Sequence, residues 1–133
     1  MARWDERPHS WDIDERYRGG LGMALALQGS GVANIDVASV EIRLGDDGNY
    51  TLYTGSSDMG MGANTVLTQM ACEIIGCPME YMTVVESDTD IVPFDPGSYA
   101  SSTTYVTGTA AKMAAEELRT KIMLSSLNSS IQM

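Results

Sequence analysis

The chain has 133 residues, a formal net charge of −10, 44% hydrophobic residues and only 4 prolines. This length suits one domain with a buried core, and the composition excludes disordered and fibrous proteins. We expect no nucleic-acid partner, because a duplex-binding surface needs Lys and Arg, and no membrane partner, because no apolar run approaches the roughly 18 residues of a membrane span.

The N-terminal residues are polar and mixed in charge, and they lack the apolar segment of a secretion signal. We predict an exposed polar lead-in over residues 1–18, a main domain over residues 19–125 and a frayed tail over residues 126–133. A cytoplasmic location follows as an expectation. Cys72 and Cys77 are predicted to be buried free thiols rather than a bridge, on different faces of a helix.

The next segments predict strands. A short apolar run at residues 23–27 is too short for a helix and suits a buried strand. Apolar and polar residues then alternate from Val37 to Leu44, which is typical of a half-buried strand. A turn at residues 45–49 leads into a second β-rich run, Tyr50–Thr54, so an antiparallel hairpin is the simplest arrangement.

The rest of the chain predicts two helices and a third strand. Apolar residues recur at helical spacing from Val66 to Ile75, with Asn64 or Thr65 as N-cap and with Gly76 and Pro78 ending the helix. A third strand over residues 81–87 completes a right-handed βαβ unit. We therefore predict an α+β fold, in which a mixed sheet, formed by the antiparallel hairpin and the βαβ crossover, is packed by two main helices. The second helix should span residues 103–124, with an apolar face formed by Ala110, Ala114, Leu118 and Ile122.

A glycine turn, Gly60-Met61-Gly62, directly precedes the first helix and is a candidate anion site. The first N–H groups of a helix lack partners and carry partial positive charge. The alternative is a plain turn: the pattern is not Gly-x-Gly-x-x-Gly, because Thr65 occupies the sixth position, and no P-loop Lys follows. Since no Lys or Arg lies between Leu44 and Ala111, only backbone and hydroxyl donors are available.

A second candidate is the hydroxyl-rich stretch over residues 97–108, which opens the second helix. Six Ser and Thr side chains there can donate to phosphate oxygens or to a pterin edge, or can bond only to their own backbone. A calcium loop through Asp88, Asp90 and Asp95 is rejected, because Pro93 stands where an EF-hand needs Gly. We therefore predict no metal ligands in this chain.

Five segments of the chain, in this order and spacing, resemble the molybdenum-binding large subunit of the xanthine dehydrogenase and aldehyde oxidase family, the molybdenum hydroxylases. They span residues 18–119, and the PFDPGSYAS variety is nearest to xanthine-dehydrogenase-type members. The segments are RGGLGMALALQGSG, YTGSSDMGMG, NTVLTQMACEIIGCP, SDTDIVPFDPGSYASSTTYVTG and AAKMAAEELR.

The resemblance implies that both loops hold the pyranopterin and phosphates of the molybdenum cofactor, molybdopterin, often in its cytosine dinucleotide form. The family usually has Gln at the position of Met61. A Gln side chain can donate a hydrogen bond to the cofactor, whereas the Met61 side chain cannot. The implied cofactor-binding residues are Gly60, Met61, Gly62, Ala100, Ser101, Ser102, Thr103 and Thr104.

The resemblance also implies that the chain is a fragment or domain of a xanthine-dehydrogenase-like enzyme. It would contribute one wall of the cofactor site to an oxidoreductase that hydroxylates an electron-poor carbon of an N-heterocycle or aldehyde. We expect the catalytic Glu and the other wall elsewhere, so the chain alone is not a complete enzyme. Iron–sulfur clusters and FAD are expected on partner domains or subunits. The alternative is a non-enzymatic interaction or structural module that has lost the cofactor, for which a homodimer in isolation is an expected partner.

Overall fold

The computed structural model describes residues 3–29 and 35–131. Short 3₁₀ turns occur at Trp4–Glu6 and Met79–Tyr81. The strands and helices of the described residues are, in chain order, β1 (Ser10–Asp12), β2 (Arg18–Gly20), β3 (Val40–Leu44), β4 (Tyr50–Thr54), α1 (Ala63–Ile75), β5 (Met82–Glu86) and α2 (Thr103–Ile131).

The main sheet has three strands in the order β3-β4-β5 and is mixed. Strands β3 and β4 are antiparallel, with Ile42 opposite Leu52, and β4 and β5 are parallel, with Leu52 opposite Val84. The turn between β3 and β4 is closed by a hydrogen bond from the Gly45 N–H to the Asn49 carbonyl, at 2.8 Å. The predicted hairpin, the β4-α1-β5 crossover and the α+β fold are confirmed.

The core lies between the sheet and the two helices. Helix α2 packs on β3, α1 packs on β5, and the two helices pack extensively on each other. Their close approach needs small side chains: a Cβ on Gly108 would lie 2.8 Å from Sδ of Met70. Because strand side chains alternate in direction, one face of β4 is buried and the other is partly wet. The core cluster consists of Leu52, Leu67, Ala71, Cys72, Met82, Ala111 and Ala115.

Helix α1 begins earlier than predicted. Its N-cap is Gly62 in the left-handed region, with φ of 77°, and not Asn64 or Thr65. The helix ends as predicted after Ile75, where Gly76 adopts φ of 83° and its N–H donates to the Cys72 carbonyl at 2.8 Å. The left-handed conformation costs little free energy at this position, because glycine has no Cβ.

Helix α2 is longer than predicted. It runs to Ile131 instead of ending at Leu124, and the sequence contains no Gly or Pro after Gly108 to interrupt it. Thr107, Ala111 and Ala115 form its buried centre, whereas the predicted face of Ala110, Ala114, Leu118 and Ile122 is a half-buried flank. The helix therefore occupies most of the predicted tail, of which residues 132–133 lie outside the described residues. The domain boundaries themselves stay a prediction.

The strand predicted at residues 23–27 is wrong. This stretch has no regular structure, and Leu25 and Leu27 are 97% and 99% exposed. Among the described residues, no strand offers it a hydrogen-bonded neighbour, and without one an extended run gains neither ladder bonds nor burial. The short β1–β2 ribbon lies instead across the end of the lead-in, where a Cβ on Gly19 would meet the Trp11 ring at 2.3 Å.

Candidate functional site

Two loops meet at the carboxyl end of β4. We call residues 55–62 the glycine loop and residues 95–102, which precede α2, the hydroxyl loop. The Ser57 N–H donates to Oγ of Ser98 at 3.1 Å, and the Ser98 hydroxyl donates to the Ser57 carbonyl at 2.7 Å. This reciprocal pair joins positions 41 residues apart in sequence. The two predicted segments are therefore neighbours in the fold.

Close backbone packing at Gly55 holds the two loops together. A Cβ at this position would lie 2.5 Å from the Pro93 carbonyl oxygen and 2.9 Å from the Asp95 nitrogen. The end of β5 adds two further contacts. Oε2 of Glu86 accepts the Asp58 N–H at 2.9 Å, and the hydroxyls of Ser57 and Ser87 are 2.7 Å apart.

The N-terminus of α1 is closed by a carboxylate of the chain itself. Oδ1 of Asp58 accepts the N–H groups of Gly60 and Gly62 at 2.9 and 3.1 Å, and Oδ2 accepts that of Asn64 at 3.4 Å. These hydrogen bonds, of which the one from Gly60 has the largest effect, hold the pKa of Asp58 below its usual value. The anion that the glycine turn was predicted to bind is thus supplied internally. Sequence reasoning missed Asp58, although Asp two residues before a turn glycine is a known Asx-turn signal.

Gly60 and Gly62 therefore position a turn rather than offer free donors. Both have positive φ, 106° and 77°, which places the intervening Met61 side chain outward at 46% exposure. The Met61 sulfur accepts the Met59 N–H at 3.3 Å. A thioether is a weak acceptor and has no donor, so Met61 offers an external ligand mainly an apolar, polarisable surface.

The hydroxyl loop contains two consecutive left-handed residues that are not glycine. Ala100 and Ser101 have φ of 55° and 57°. Such conformations cost free energy and persist only where surrounding contacts enforce them, often at functional sites. Ala100 is buried, and the Ser102 hydroxyl donates to the Tyr99 carbonyl at 3.0 Å. Ser102 is therefore committed to the loop itself.

The first turn of α2 has donors that remain available. Among the described residues, the N–H groups of Thr103, Thr104 and Tyr105 have no hydrogen-bond acceptor, as expected for the start of a helix. The Thr103 side chain is 8% exposed, whereas Thr104 is exposed. The start of α2 thus presents three N–H groups without an acceptor in the described part of the chain, to which an external anion can bind.

An open cleft of about 630 Å³ lies between the two loops, and none of the described residues that line it is charged. Of the predicted residues, Met61, Ala100, Ser101, Thr103 and Thr104 line it, whereas Gly60, Gly62 and Ser102 do not. Nothing in the sequence pattern singled out Gln28, which brings the only side-chain amide among the described residues that line the cleft. The lining residues are Gln28, Met59, Met61, Ser98, Tyr99, Ala100, Ser101, Thr103 and Thr104.

Within residues 3–29 and 35–131, no three His, Cys, Asp or Glu side chains are grouped so that they could hold a metal ion. Over the same ranges, no helix has the length and apolar character needed to cross a membrane. Asp88, Asp90 and Asp95 in particular form no metal cluster.

Residues 1–126 match the family model of the molybdopterin cofactor-binding domain. The chain belongs to this family, in the molybdenum hydroxylases. This molybdopterin-binding domain is 40% identical over 124 residues to a protein of Escherichia coli K12 described as a probable hypoxanthine oxidase, covering 92% of the domain and 13% of that relative. It is 35% identical over 127 residues to the xanthine dehydrogenase molybdenum-binding subunit of E. coli O157:H7, covering 92% of the domain and 17% of the subunit. The molybdopterin-binding domain thus spans less than a fifth of these relatives.

Solved structures show the same relationship. The molybdopterin-binding domain superposes on the Cu,Mo-CO dehydrogenase with a TM-score of 0.62 and 29% identity, covering 65% of the domain and 11% of that chain. For quinoline 2-oxidoreductase of Pseudomonas putida 86 the TM-score is 0.58 and the identity is 26%. The match covers 62% of the domain and 10% of that chain. The resemblance predicted from the sequence is confirmed.

Proposed function

We propose that the cleft is one wall of a molybdopterin site in an oxidoreductase that hydroxylates an electron-poor carbon of an N-heterocycle or aldehyde. The observation that carries this proposal is the meeting of the glycine and hydroxyl loops around one open, uncharged cleft. Its volume lies within the range of about 300–1,000 Å³ that is usual for cofactor-sized ligands. A family model for molybdopterin binding that matches residues 1–126 supports the same assignment.

The donors in the cleft suit a phosphorylated pterin. The amides of Thr103 and Thr104, at the positive end of a long helix, favour phosphate oxygens. The hydroxyls of Ser101 and Thr104 add neutral donors, and the Gln28 amide can both donate to and accept from a pterin edge. No cation is needed for these contacts, which agrees with the absence of Lys and Arg between Leu44 and Ala111.

Each residue then has a role that its geometry allows. Ala100 and Met61 present apolar surface on which the pterin ring can pack, and Gly60 and Gly62 fix the position of Met61. When bound, the molybdenum cofactor supplies the redox chemistry of hydroxylation. This chain contributes binding and orientation, and none of its side chains is assigned a catalytic step.

We extend the proposal to the assembly. The matched relatives include a molybdenum-binding subunit and carbon monoxide dehydrogenase large chains, so subunit partners are expected for this chain as well. We propose the cytosine dinucleotide form of molybdopterin, a cytoplasmic location, and iron–sulfur and flavin groups carried by partner domains or subunits.

A second candidate function is favoured by the glycine loop. The amides of Gly60 and Gly62 are occupied by Asp58, and Met61 offers no donor where the family has Gln. These features suit an interaction or structural module that keeps the fold without the cofactor. In that case cofactor retention should appear only after Met61→Gln.

The test is titration of the protein with molybdopterin and with its cytosine dinucleotide, followed by amide hydrogen exchange. We expect slower exchange at Thr103 and Thr104, and weaker binding in the double variant Ser101→Ala/Thr104→Val. Thr109→Val is the matched control, because Thr109 lies on the same helix, bonds only to the Tyr105 carbonyl and does not line the cleft. Unchanged exchange in the unmodified protein and in Met61→Gln would reject both forms of the cofactor site.

A further inference from the structure

The C-terminal end of α1 brings the two cysteines of the chain together. After Ile75 the backbone reverses at Gly76, and both the Gly76 and Cys77 N–H groups donate to the Cys72 carbonyl, at 2.8 and 3.2 Å. In this type of helix cap, the residue after the glycine packs on the residue five positions earlier. Here both members of that pair carry thiols. The prediction that they lie on different faces of a helix is wrong, because Cys77 lies beyond the helix end.

The two thiols interact but differ in access. Cys72 is 4% exposed in the core, and its Sγ lies 3.9 Å from the Pro78 carbonyl oxygen. Burial, and then a hydrogen bond with the Cys77 thiol, raise the pKa of Cys72 to about 12. Cys77 is half-buried, and both Cys77 and Cys72 line an open groove of about 670 Å³ with Pro78 and Met79. A small reagent can therefore reach Cys77 more readily than Cys72, which is almost fully buried.

We propose that Cys72 and Cys77 form a redox modification site that reacts with hydroperoxides and closes to an intramolecular disulfide. First, the Cys77 thiol loses its proton and its sulfur attacks the terminal oxygen of the hydroperoxide. The O–O bond breaks, the departing alkoxide takes up that proton and leaves as an alcohol, and Cys77 becomes a sulfenic acid. Then the Cys72 sulfur attacks the Cys77 sulfur, an S–S bond forms, and the sulfenic hydroxyl leaves with the Cys72 proton as water. The two thiols lose two electrons, and the hydroperoxide gains them.

The site is separate from the cofactor cleft. Helix α1 has 13 residues, so its two ends lie about 20 Å apart. The disulfide would clamp the turn that leads from α1 into β5, whereas the cleft lies beyond the opposite end of the helix. The inference therefore does not rest on the proposed function.

The test starts from the reduced protein, which has two free thiols. After exposure to tert-butyl hydroperoxide, denaturation and alkylation, we expect both thiols to be lost while the protein keeps its size in non-reducing electrophoresis. The peptide that contains both cysteines should be lighter by two hydrogens and should return to the alkylatable form with a reducing agent. Recovery of two alkylated cysteines, a disulfide between chains, or sulfinic acid at Cys77 without a bridge would each overturn the proposal.

Single variants separate the two roles. Cys77→Ser should leave Cys72 unoxidised, because Cys72 is buried and mostly protonated. Cys72→Ala should stop the reaction at the sulfenic acid of Cys77, which dimedone traps. Both variants are compared by circular dichroism, and a second isosteric variant, Cys72→Ser, replaces Cys72→Ala if the latter does not fold. Equal oxidation of Cys72 in Cys77→Ser would contradict the assigned order of reaction.

Discussion

The carboxylate of Asp58 is bound by the amide of Gly60, with Oδ1 2.9 Å from the amide nitrogen. The same carboxylate accepts the amides of Gly62, the N-cap of α1, and of Asn64 in its first turn. An internal anion neutralises the partial positive charge of that helix end and fixes the turn that carries Met61. The Gly60 and Gly62 amides are consequently bound by the chain itself, whereas the first amides of α2 have no acceptor among the described residues.

This arrangement predicts a pH-dependent contribution of Asp58 to stability. Backbone hydrogen bonds, of which the one from Gly60 has the largest effect, lower the folded-state pKa of Asp58 below its ordinary value. The contribution is therefore complete above the unfolded-state pKa and is lost as the pH falls through the folded-state pKa. We expect Asp58→Asn to lower the Tm by a few degrees near neutral pH, with a difference from the unmodified protein that shrinks as the pH falls through the folded-state pKa of Asp58.

Thermal unfolding followed by circular dichroism across this pH range measures the effect. Asp46→Asn is the control: it makes the same charge change in the β3–β4 turn, and Asp46 has no hydrogen-bond partner among the described residues. A constant Tm difference at all pH values, or an equal effect in Asp46→Asn, would show that capping by the Asp58 carboxylate is not responsible.

Periodicity predicted most of the fold because local rules agree with tertiary packing there. The alternation in β3 and the helical spacing from Val66 to Ile75 each identify an element whose buried face is continuous in sequence. The prediction of a strand at residues 23–27 is wrong for a physical reason. A strand is stable only beside another strand, and that partner is not encoded in the run itself.

The site could be predicted only in part. Glycines and hydroxyls before two helices identified the correct loops, because the unpaired donors of helix starts follow from local sequence. Which donors stay free depends on side chains that fold back, as Asp58 does at α1 and Ser102 does at the hydroxyl loop. Gln28 enters the cleft through a long-range packing relationship that no local pattern encodes.

The reciprocal hydrogen bonds between Ser57 and Ser98 predict that Ser98→Ala separates the loops. The Ser57 N–H and the Ser57 carbonyl both lose their hydrogen-bond partner in a partly buried environment. The free energy of unfolding should therefore fall by about 1–3 kcal/mol. Denaturant unfolding measures the loss, and faster amide exchange at Ser57 localises it. Thr120→Ala removes an exposed hydroxyl bonded only to its own helix and should change stability by less than about 0.5 kcal/mol. Equal losses in the two variants would contradict a tethering role for Ser98.

Gly55 predicts a steric requirement between the loops. In Gly55→Ala the new Cβ would lie 2.5 Å from the Pro93 carbonyl oxygen and 2.9 Å from the Asp95 nitrogen. Backbone atoms cannot move aside as the end of a flexible side chain can. We expect a loss of about 2–3 kcal/mol in the free energy of unfolding. Gly108→Ala is the comparison, because its Cβ meets only Sδ and Cε of Met70, and Ala gains up to about 1 kcal/mol of helix propensity. Similar losses for the two variants would indicate that the Gly55 contact relaxes easily.

The left-handed backbone at Ser101 predicts that glycine relieves strain there. Ser101→Gly removes a Cβ that costs about 1–2 kcal/mol at positive φ, offset by about 0.5–1 kcal/mol of additional unfolded-state entropy. We expect a gain between zero and about 1.5 kcal/mol in the free energy of unfolding. Ser101→Ala also lacks the hydroxyl but keeps the strain, so it should not be stabilised. If the two variants unfold alike, the conformation at Ser101 stores no strain.

The uncharged cleft predicts an unusual salt dependence for a phosphate-bearing ligand. The chain carries a net charge of −10, and no Lys or Arg lines the cleft. Salt therefore screens repulsion instead of attraction, and raising KCl from about 50 to about 300 mM should tighten binding of molybdopterin cytosine dinucleotide by about twofold. A pterin without phosphate is the control, and its affinity should stay constant. Calorimetric titration measures both affinities. Binding that weakens with salt for the phosphorylated ligand alone would place the phosphate against a basic side chain, and therefore outside this cleft.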